Sequence, residues 1–549
     1  MTLGYRDFAL HEWTLDRVLE WRAGLTPGAP FQSFAGEEAL SFREAWQRAL
    51  DIAHALQQAG VCAGDRVSTL TENSGETVLL WFAVNLLGAI DAPVNPAFSG
   101  TLLEHAVNLV ESRLLIVQEK LLPVLEASAA ALSHVKQILV LDGAPGPARQ
   151  VAGLSILSLA GLCSPRPADW RPAGARFSDT ASILFTSGTT GPAKGVMVTH
   201  AQAFMTARQT AEGLWVSQED VYYCAQPLFH MSPRFCAIYA ALLTGAKVNL
   251  DLRFSAADWL RRIRETGATV TIGHGPLLEM IYAEPEQPGD ADTALTRIGT
   301  SPFPKHIAAD FERRFGVKGI ETWGMTEINI PCWHPQHEPL RPGSCGKIRE
   351  EWYDFRVVDP ETDEELPPGK VGELVVRPKL PWTVSPGYYG NLQATLKAWR
   401  NLWFHSGDTG YVDPDGWVYF ADRLGDRIRR RAENISSFDI EVAANAHPAV
   451  RESAAVGVPS EFLSDDDIKL CVVLNAGAAL RPGDLLGFLA RRLPHHMVPR
   501  YIEILPEMPR TPTQKIMKSK LRTAGVNAAT WDRKAEGVEL RRLIETGAA

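Results

Sequence analysis

The chain has 549 residues, of which 45% are hydrophobic and 22% are charged, and its formal net charge is −9 at pH 7. This length exceeds what a single hydrophobic core supports, so two or more domains are expected. The acidic balance argues against nucleic acid as the main partner, and no basic run indicates a membrane surface.

The amino terminus and the cysteines indicate a cytoplasmic protein without a membrane span. MTLGYRDFALHEW carries charges where a signal peptide would have its apolar core. The apolar run VLLWFAVNLLGAI is interrupted by Asn85 and is shorter than the ~18 residues that a span needs. The seven cysteines have no C-x-x-C spacing, so we expect free thiols that act as small core residues.

Helical and strand patterns alternate from about residue 40 to about residue 350. Apolar residues recur at helical spacing in segments that end near glycine, and short apolar runs follow them. In chain order these are the helix SFREAWQRALDIAHALQQAG, the strand GDRVSTL, the helix ETVLLWFAVNLLG and the strand AIDAPVN, and later LTGAKVNLDL, SAADWLRRIRETG and ATVTIGHG. This alternation predicts a parallel sheet flanked by helices.

The pattern changes after about residue 352. The short strands FRVVD, GELVVRP and GWVYFAD are separated by turn-rich segments, which predicts a small antiparallel β subdomain. A smaller unit follows, with the helix SSFDIEVAANAH and the strands ESAAVGV and IKLCVVLN. We therefore expect an α/β fold with a large N-terminal domain of α/β layers, residues 1–424, whose residues 352–424 are rich in β-structure, and a smaller C-terminal α+β domain, residues 425–549.

The stretch TSGTTGPAKG, residues 186–195, lies between two strand-like segments, ASILF and VMVTH. Its glycines allow backbone N–H groups to turn inward as a nest for an anion, and Lys194 adds a positive charge. The remaining candidate phosphate contacts are Thr186, Ser187, Gly188, Thr189 and Thr190. The loop departs from the G-x-x-x-x-G-K-[ST] pattern because Gly195 follows the lysine, and an ordinary polar turn is the alternative.

Together with four later segments, this loop resembles the adenylate-forming superfamily of acyl-CoA synthetases, peptide-synthetase adenylation domains and firefly-type luciferases. The segments are TWGMTE (322–327), WFHSGDTGYVDPDGWVYFADR (403–423), DRIRRRAENISSFDIE (426–441) and PRTPTQKIMKSKLR (509–522). The resemblance covers nearly the whole chain in the family's order. The ENIS variant in the third segment resembles the carnitine- and crotonobetaine-type CoA ligases.

The resemblance implies that the chain joins a carboxylic acid to AMP, using ATP and Mg²⁺. The loop with Lys194 would hold the β- and γ-phosphates. Glu327 matches the carboxylate that holds Mg²⁺, and Thr326 would bond a phosphate oxygen. Trp323, at the family's usual tyrosine position, would stack on adenine, and Asp408 would accept both ribose hydroxyls.

The resemblance further implies a mobile C-terminal domain that rotates between adenylation and transfer of the acyl group to CoA. Lys515 matches the lysine that reaches the carboxylate and the α-phosphate. Arg423 would contact ribose or phosphate, and Arg429 with the 430–434 backbone would line the CoA tunnel. Considered one at a time, Lys515, Arg423 and Arg429 could simply be charged residues on the surface. Trp323 alone could likewise be an aromatic residue of the core.

The segment QPLFHMSPRF, residues 226–235, favours an acid without an α-amino group. Peptide-synthetase domains usually place an aspartate here for the substrate amine, whereas this chain has His230 and no acidic residue. His230 would gate or line the acyl site, or it is a satisfied core histidine. Pocket walls are expected at Gly273, Gly275, Gly299 and Thr300, where missing side chains would leave room for a bulky hydrophobic acyl group.

Three departures from the family pattern lie in the C-terminal domain. Gly425 stands at the hinge, Ala432 replaces a glycine, and Gln514 replaces the glycine before Lys515. One interpretation is that these are neutral changes in loops. The other is that they impair one of the two half-reactions, and adenylation is then the better candidate, because Gln514 precedes Lys515, the lysine that acts in that step. The motifs are also compatible with an acyl-AMP ligase that loads a carrier protein in trans and with a luciferase-like oxygenase. The oligomeric state is not indicated.

Overall fold

The structure is a computed structural model that describes residues 4–186, 193–305, 307–423, 428–430, 433–435, 437–461, 465–509, 516 and 518–540. Its α-helices are α1 (Leu15–Leu25), α2 (Phe42–Gln58), α3 (Gly75–Leu86), α4 (Gly100–Leu109), α5 (Leu122–Ser128), α6 (His200–Gly213), α7 (Ala240–Thr244), α8 (Ala256–Thr266), α9 (Gly275–Ala283), α10 (Ala308–Phe315), α11 (Leu392–Ala398), α12 (Ser437–Asn445), α13 (Pro482–Ala490) and α14 (Lys518–Ala524). A π-helix, Ser232–Tyr239, leads into α7.

The strands run from β1 to β27 in chain order. They are β1 (Pro30–Phe34), β2 (Leu40–Ser41), β3 (Arg66–Leu70), β4 (Ile90–Val94), β5 (Leu114–Val117), β6 (Gln137–Val140), β7 (Arg149–Val151), β8 (Leu154–Ser158), β9 (Thr180–Thr186), β10 (Lys194–Thr199), β11 (Val221–Cys224), β12 (Lys247–Leu250), β13 (Val270–Gly273), β14 (Arg297–Thr300), β15 (Lys318–Met325), β16 (Asn329–Trp333), β17 (Gly346–Ile348), β18 (Tyr353–Val358), β19 (Gly372–Pro378), β20 (Phe404–Val412), β21 (Trp417–Arg423), β22 (Ile428–Arg430), β23 (Glu433–Ile435), β24 (Val450–Pro459), β25 (Asp466–Leu474), β26 (Tyr501–Ile504) and β27 (Trp531–Asp532).

The predicted alternation of strands and helices forms a sheet with the order β10-β9-β4-β3-β5-β6-β8-β7. Its interior strands are parallel, as the sequence predicts. Helix α2 begins with a capping box, in which the Ser41 hydroxyl accepts from the Glu44 amide and the Glu44 carboxylate accepts from the Ser41 amide. It ends just before Gly60, whose φ of +90° turns the chain away from the helix.

A second sheet has the order β18-β19-β20-β21-β17-β16-β15-β14-β13-β11-β12-β1-β2. The strands from β12 to β15 pair in parallel, and those from β15 to β21 pair antiparallel. Strands β18 to β21 lie within the predicted β subdomain, residues 352–424, whereas β16 and β17 precede it. The strands of the subdomain are not a separate sheet, because β16 and β17 connect them by hydrogen bonds to β15.

The C-terminal part has its own sheet and its own core, in agreement with the predicted α+β unit. Strands β24 to β27 pair in order, and β25 and β26 are parallel. Apolar side chains from α12, α13 and this sheet, including Ile440, Leu470 and Leu486, form one buried cluster. Strands β22 and β23 form a separate antiparallel pair.

Helix α3 shows that the apolar run is a core element. Every residue from Thr77 to Leu86 is buried, which is the pattern of a helix enclosed by protein on all sides. In the described part of the chain, no helix is both long enough and apolar enough to cross a membrane. The cysteines are free, but Cys62 and Cys163 are exposed, so the prediction that each is a core residue is wrong for these two.

Acid is expected to destabilise the fold through His200, the first residue of α6. Its Nδ1 accepts a hydrogen bond from the Leu15 amide at 3.3 Å, and burial lowers its pKa to about 4, although the charges of Asp16 and Asp179 oppose the shift. The unfolded chain takes up a proton near pH 6.5 and the folded chain does not. Stability is therefore full above that pH and falls by roughly 3 kcal/mol as the pH decreases toward 4.

The measurement is urea unfolding of the wild type and of His200→Gln at pH 7.5 and pH 5. Because the variant cannot take up this proton, it should lose less stability than the wild type between the two pH values. An equal loss in both proteins would contradict the prediction. Other titrating groups affect both proteins alike and cancel in the comparison.

Candidate active site

The predicted phosphate loop connects two paired strands. Strands β9 and β10 are antiparallel, and Lys194 stands opposite Thr186 in their register. Both residues are half-buried. The ends of the loop are therefore fixed by the sheet, as the strand–loop–strand pattern predicts. Ser187, Gly188, Thr189 and Thr190 lie outside the described residues.

Lys194 and Glu327 both contact one tyrosine, Tyr388. The Lys194 Nζ atom lies 4.7 Å from the centre of the Tyr388 ring, and the Tyr388 hydroxyl donates a hydrogen bond to Glu327 Oε1 at 2.9 Å. Burial lowers the pKa of Lys194, and the charge of Glu327 opposes this. Burial, together with Glu327, raises the pKa of Tyr388, so the phenol keeps its proton and acts as a donor.

Backbone contacts from two elements fix the position of Glu327. The Gln202 side chain on α6 donates to the carbonyl oxygens of Thr326, at 2.8 Å, and of Glu327, at 3.4 Å. The Ser385 amide also donates to the Glu327 carbonyl, at 2.8 Å. Residues just after the end of β15 are thus held between α6 and the segment that carries Tyr388.

The sequence did not indicate Tyr388. It lies in SPGYYGN, a stretch of turn residues whose only chemical signal is a pair of tyrosines. Its segment runs along β10: Tyr388 bridges Val196, and the Tyr389 amide donates to the Gly195 carbonyl at 2.8 Å. That pairing places the tyrosine beside Lys194.

Trp323 and Asp408, from two of the motifs, are in direct contact. The Trp323 Nε1 atom donates to Asp408 Oδ2 at 2.9 Å. Only 4% of Trp323 and 2% of Asp408 are exposed, and the edge of Phe355 packs against the indole. Because protein covers most of the ring, only a small part of it could face adenine. Arg423 pairs with Asp408 in the β20–β21 register, and its side chain lies outside what the structure describes.

The segment 226–235 is attached to the N-terminal sheet by buried polar contacts. The Asn73 side chain donates to the carbonyl oxygens of Gln226 and Asp251, both at 2.9 Å, and accepts from the Leu228 amide at 2.8 Å. The Arg234 guanidinium forms a buried ion pair with Asp91. His230 is half-buried, with its ring centre 4.2 Å from that of Phe229.

Two of the glycines that were predicted to form walls of the acyl pocket lie close to leucine side chains. A Cβ atom at Gly273 would lie 3.1 Å from Leu278, and one at Gly299 would lie 3.1 Å from Leu214. These leucines already fill the space that the missing side chains were expected to leave. Gly275 begins α9. Thr300 is linked to the TWGMTE segment, since the Thr322 hydroxyl donates to its carbonyl oxygen at 3.2 Å.

The predicted C-terminal contacts fall mainly outside the described residues. Lys515, Gln514, Gly425 and Ala432 are among these, as is the side chain of Arg429. In the part that is described, no three His, Cys, Asp or Glu side chains are grouped as a metal centre.

Comparison with known proteins identifies the family. Residues 19–389 match the family described as AMP-binding enzyme, and residues 439–515 match the AMP-binding enzyme C-terminal domain. A crotonobetaine/carnitine–CoA ligase from Salmonella paratyphi A is 29% identical over 493 residues, which is 88% of this chain and 92% of the relative.

Solved structures show the same fold. The o-succinylbenzoate CoA synthetase of Bacillus subtilis superposes with a TM-score of 0.79 at 22% identity, over 95% of this chain and 99% of that protein. The amide bond synthetase McbA of Marinactinospora thermotolerans gives 0.78 at 25% identity, over 93% and 99%. ATP-bound MatB of Rhodopseudomonas palustris gives 0.67 at 25% identity, over 93% and 98%.

These matches agree with the family that the motifs indicate. They also agree with the fold, a large N-terminal α/β domain followed by a smaller C-terminal domain. ATP and CoA are the substrates of acyl-CoA ligases of this kind. The chain belongs to the AMP-binding enzyme family, the adenylate-forming superfamily, and is an AMP-forming acyl-CoA synthetase similar to the carnitine-type CoA ligases.

Proposed function

We propose that this enzyme joins a hydrophobic carboxylic acid without an α-amino group to CoA, through an acyl-AMP intermediate. The observation that carries the proposal is the Lys194–Tyr388–Glu327 group, which places an ammonium and a carboxylate beside the loop that matches the family's phosphate loop. A carboxylate is a poor acyl donor because its leaving group would be oxide. Joining it to AMP gives a mixed anhydride from which a thiol can displace AMP.

The residues divide this chemistry between them. Lys194 and the loop 186–195 hold the β- and γ-phosphates, and the lysine offsets charge as pyrophosphate leaves. Glu327 would hold Mg²⁺, since one carboxylate with phosphate oxygens and waters is a usual set of ligands for this ion, and the bound ion supplies charge neutralisation. Asp408 accepts from the ribose, and Lys515 stabilises the charge that develops at the α-phosphate.

Further proposed contacts come from Thr326, Arg423 and Arg429. Thr326 bonds a phosphate oxygen, Arg423 contacts ribose or phosphate, and Arg429 lines the path of CoA. These roles follow the family's motifs. Loss of the Thr326 hydroxyl, or of the charge of either arginine, would weaken binding of the named group.

The acid class rests on the segment 226–235. It presents Phe229, His230 and Met231 and contains no carboxylate that could pair with an amine. The relatives named for crotonobetaine and carnitine also act on acids without an α-amino group. Gly273 and Gly299 give no support for a bulky acyl group, because leucine side chains fill the space beside them.

The experiment is ATP–pyrophosphate exchange with a panel of acids, followed by mass detection of the thioester after CoA is added. The panel contains small and bulky hydrophobic acids, crotonobetaine, and amino acids as the contrasting class. Exchange with a hydrophobic acid and formation of its CoA thioester would support the proposal. ADP and phosphate as products, or activation of amino acids alone, would contradict it.

A second candidate is an enzyme restricted to thioester formation from a supplied acyl-AMP. Gln514 before Lys515 and Ala432 near the CoA path favour it, because both replace residues that are usually glycine in the family. The two half-reactions are assayed separately, with ATP plus acid and with synthetic acyl-AMP plus CoA, in the wild type, Gln514→Gly and Ala432→Gly. Comparable wild-type rates in both halves would remove this candidate. Transfer to a carrier protein and not to CoA would indicate loading in trans.

Trp323→Phe is expected to weaken ATP binding about tenfold, because the charged and buried Asp408 carboxylate loses the hydrogen bond that the indole N–H donates to it. Phenylalanine keeps an aromatic ring beside the nucleotide and removes only the N–H. The measurement is the dissociation constant for ATP by calorimetry. Trp13→Phe is the control, since the Trp13 indole donates to the Phe8 carbonyl at 3.0 Å outside this site. Equal ATP affinity in wild type and Trp323→Phe would show that the indole does not orient Asp408.

A further inference from the structure

We propose that Tyr388 is a positioning residue that holds Glu327 through its hydroxyl and Lys194 through its ring. This inference rests on the proposed function, in which both partners act on the phosphates of ATP. It assigns a specific task to a residue that lies outside the five motifs. The two contacts use different parts of one side chain, so a single phenol fixes an anion and a cation relative to each other.

The hydroxyl contact determines the direction of the carboxylate. The Tyr388 hydroxyl donates a hydrogen bond to Glu327 Oε1 at 2.9 Å. This hydrogen bond restricts rotation of the carboxylate. With Oε1 held, the direction of the other oxygen is fixed as well. Glu327 is thus oriented before any substrate binds, so the free energy of binding does not include the cost of ordering this side chain.

The ring contact holds Lys194 without neutralising it. The ammonium lies 4.7 Å from the ring centre, which is within the range of a cation–π contact. A direct ion pair would engage the N–H groups that the phosphates need, whereas an aromatic face attracts the charge and forms no strong hydrogen bond. The lysine can therefore be placed near its position of use while its donors remain available for oxygen atoms.

The backbone around Tyr388 is firmly held. The Tyr388 amide donates to the Thr395 hydroxyl at 3.0 Å, and the neighbouring Gly387 has a φ of +140°. A Cβ atom at Gly387 would lie 2.4 Å from Thr395, so only glycine allows this approach. The same segment reaches Glu327 directly through the Ser385 amide. Because the backbone of Tyr388 is fixed by these contacts, its side chain can position Glu327 and Lys194.

The test measures binding of α,β-methylene-ATP and its dependence on Mg²⁺, by calorimetry on the full-length protein. Tyr388→Phe keeps the ring and removes the hydroxyl, so we expect a rise of about tenfold in the Mg²⁺ concentration for half-maximal affinity. Tyr388→Leu, or Tyr388→Met should the leucine variant fail to fold, also removes the ring and should weaken binding further. Tyr389→Phe is the control, since that hydroxyl contacts exposed Glu111 at 3.4 Å.

Two double-mutant cycles separate positioning from a general structural effect. If the hydroxyl acts by orienting Glu327 toward Mg²⁺, Tyr388→Phe should cause no further loss of Mg²⁺-dependent nucleotide binding in a Glu327→Gln background, because glutamine no longer holds the ion. If the ring acts through Lys194, the extra loss in the leucine variant should vanish in a Lys194→Met background. Additive losses in both cycles, or a wild-type Mg²⁺ dependence in Tyr388→Phe, would overturn the proposal. Because the readout is nucleotide binding, failure of every acid to react would contradict the proposed function without affecting this test.

Discussion

Replacing Glu327 by glutamine is expected to slow acyl-adenylate formation by at least about a hundredfold, because a bound metal ion contributes several kcal/mol of charge stabilisation. Glutamine has nearly the same shape and can still accept the Tyr388 hydrogen bond, but it has no charge with which to hold Mg²⁺. The measurement is the rate of ATP–pyrophosphate exchange at saturating ATP and acid. The Mg²⁺ requirement of exchange should increase together with the loss of rate.

The control for this prediction is Glu351→Gln, the same change at an exposed residue that is paired with Arg349 at 2.7 Å. Its exchange rate should equal that of the wild type. Thioester formation from synthetic acyl-AMP should survive in Glu327→Gln, because that step has no triphosphate to neutralise. An unchanged exchange rate in Glu327→Gln would show that another group holds the ion.

Arg234→Met is expected to cost roughly 3–5 kcal/mol of unfolding free energy, since it leaves a buried carboxylate without its partner. Arg234 and Asp91 are 2% and 1% exposed at their side chains, and the guanidinium also lies 5.0 Å from the Trp81 ring centre. Burial raises the pKa of Asp91 and lowers that of Arg234, so both groups resist being charged in this environment. The measurement is urea unfolding at pH 7.5.

Two comparisons make this second prediction specific. Because burial of the pair itself opposes charging, the double variant Arg234→Met with Asp91→Leu should be more stable than Arg234→Met alone. Arg261→Met, which removes exposed ion pairs with Asp258 and Glu265 on α8, should cost far less than Arg234→Met. A loss in Arg234→Met no larger than in Arg261→Met would show that the buried pair is not needed to hold the segment 226–235.

Much of the fold could be predicted from the sequence because local patterns determine it. Helix α2 follows from its apolar spacing and from Gly60 after it, and α3 follows from an apolar run that ends at Gly88. The β9–β10 hairpin follows from two apolar runs around a glycine-rich loop. The connection of the antiparallel strands to β15 could not be predicted in this way. It depends on which strands become neighbours, and no local period encodes that choice.

The candidate site was predictable only in part, for the same reason. The motifs place Lys194, Trp323, Glu327 and Asp408 in order along the chain, and the structure joins Trp323 to Asp408. Tyr388 is 61 residues from Glu327, in a turn-rich stretch without periodicity, so only three-dimensional contact shows its partner. The filling of Gly299 by Leu214 likewise depends on packing between distant segments.

The attachment of the segment 226–235 has a consequence for recombination between relatives. Its anchors are Asn73 and Asp91, which lie far upstream, whereas the Lys194–Tyr388–Glu327 group takes its residues from other parts of the chain. Exchange of the segment 226–235 alone would separate Leu228 and Arg234 from their partners Asn73 and Asp91. A hybrid enzyme with altered acid preference should therefore take the segment 226–235 and positions 73 and 91 from the same parent. Its Lys194–Tyr388–Glu327 group can come from the other parent.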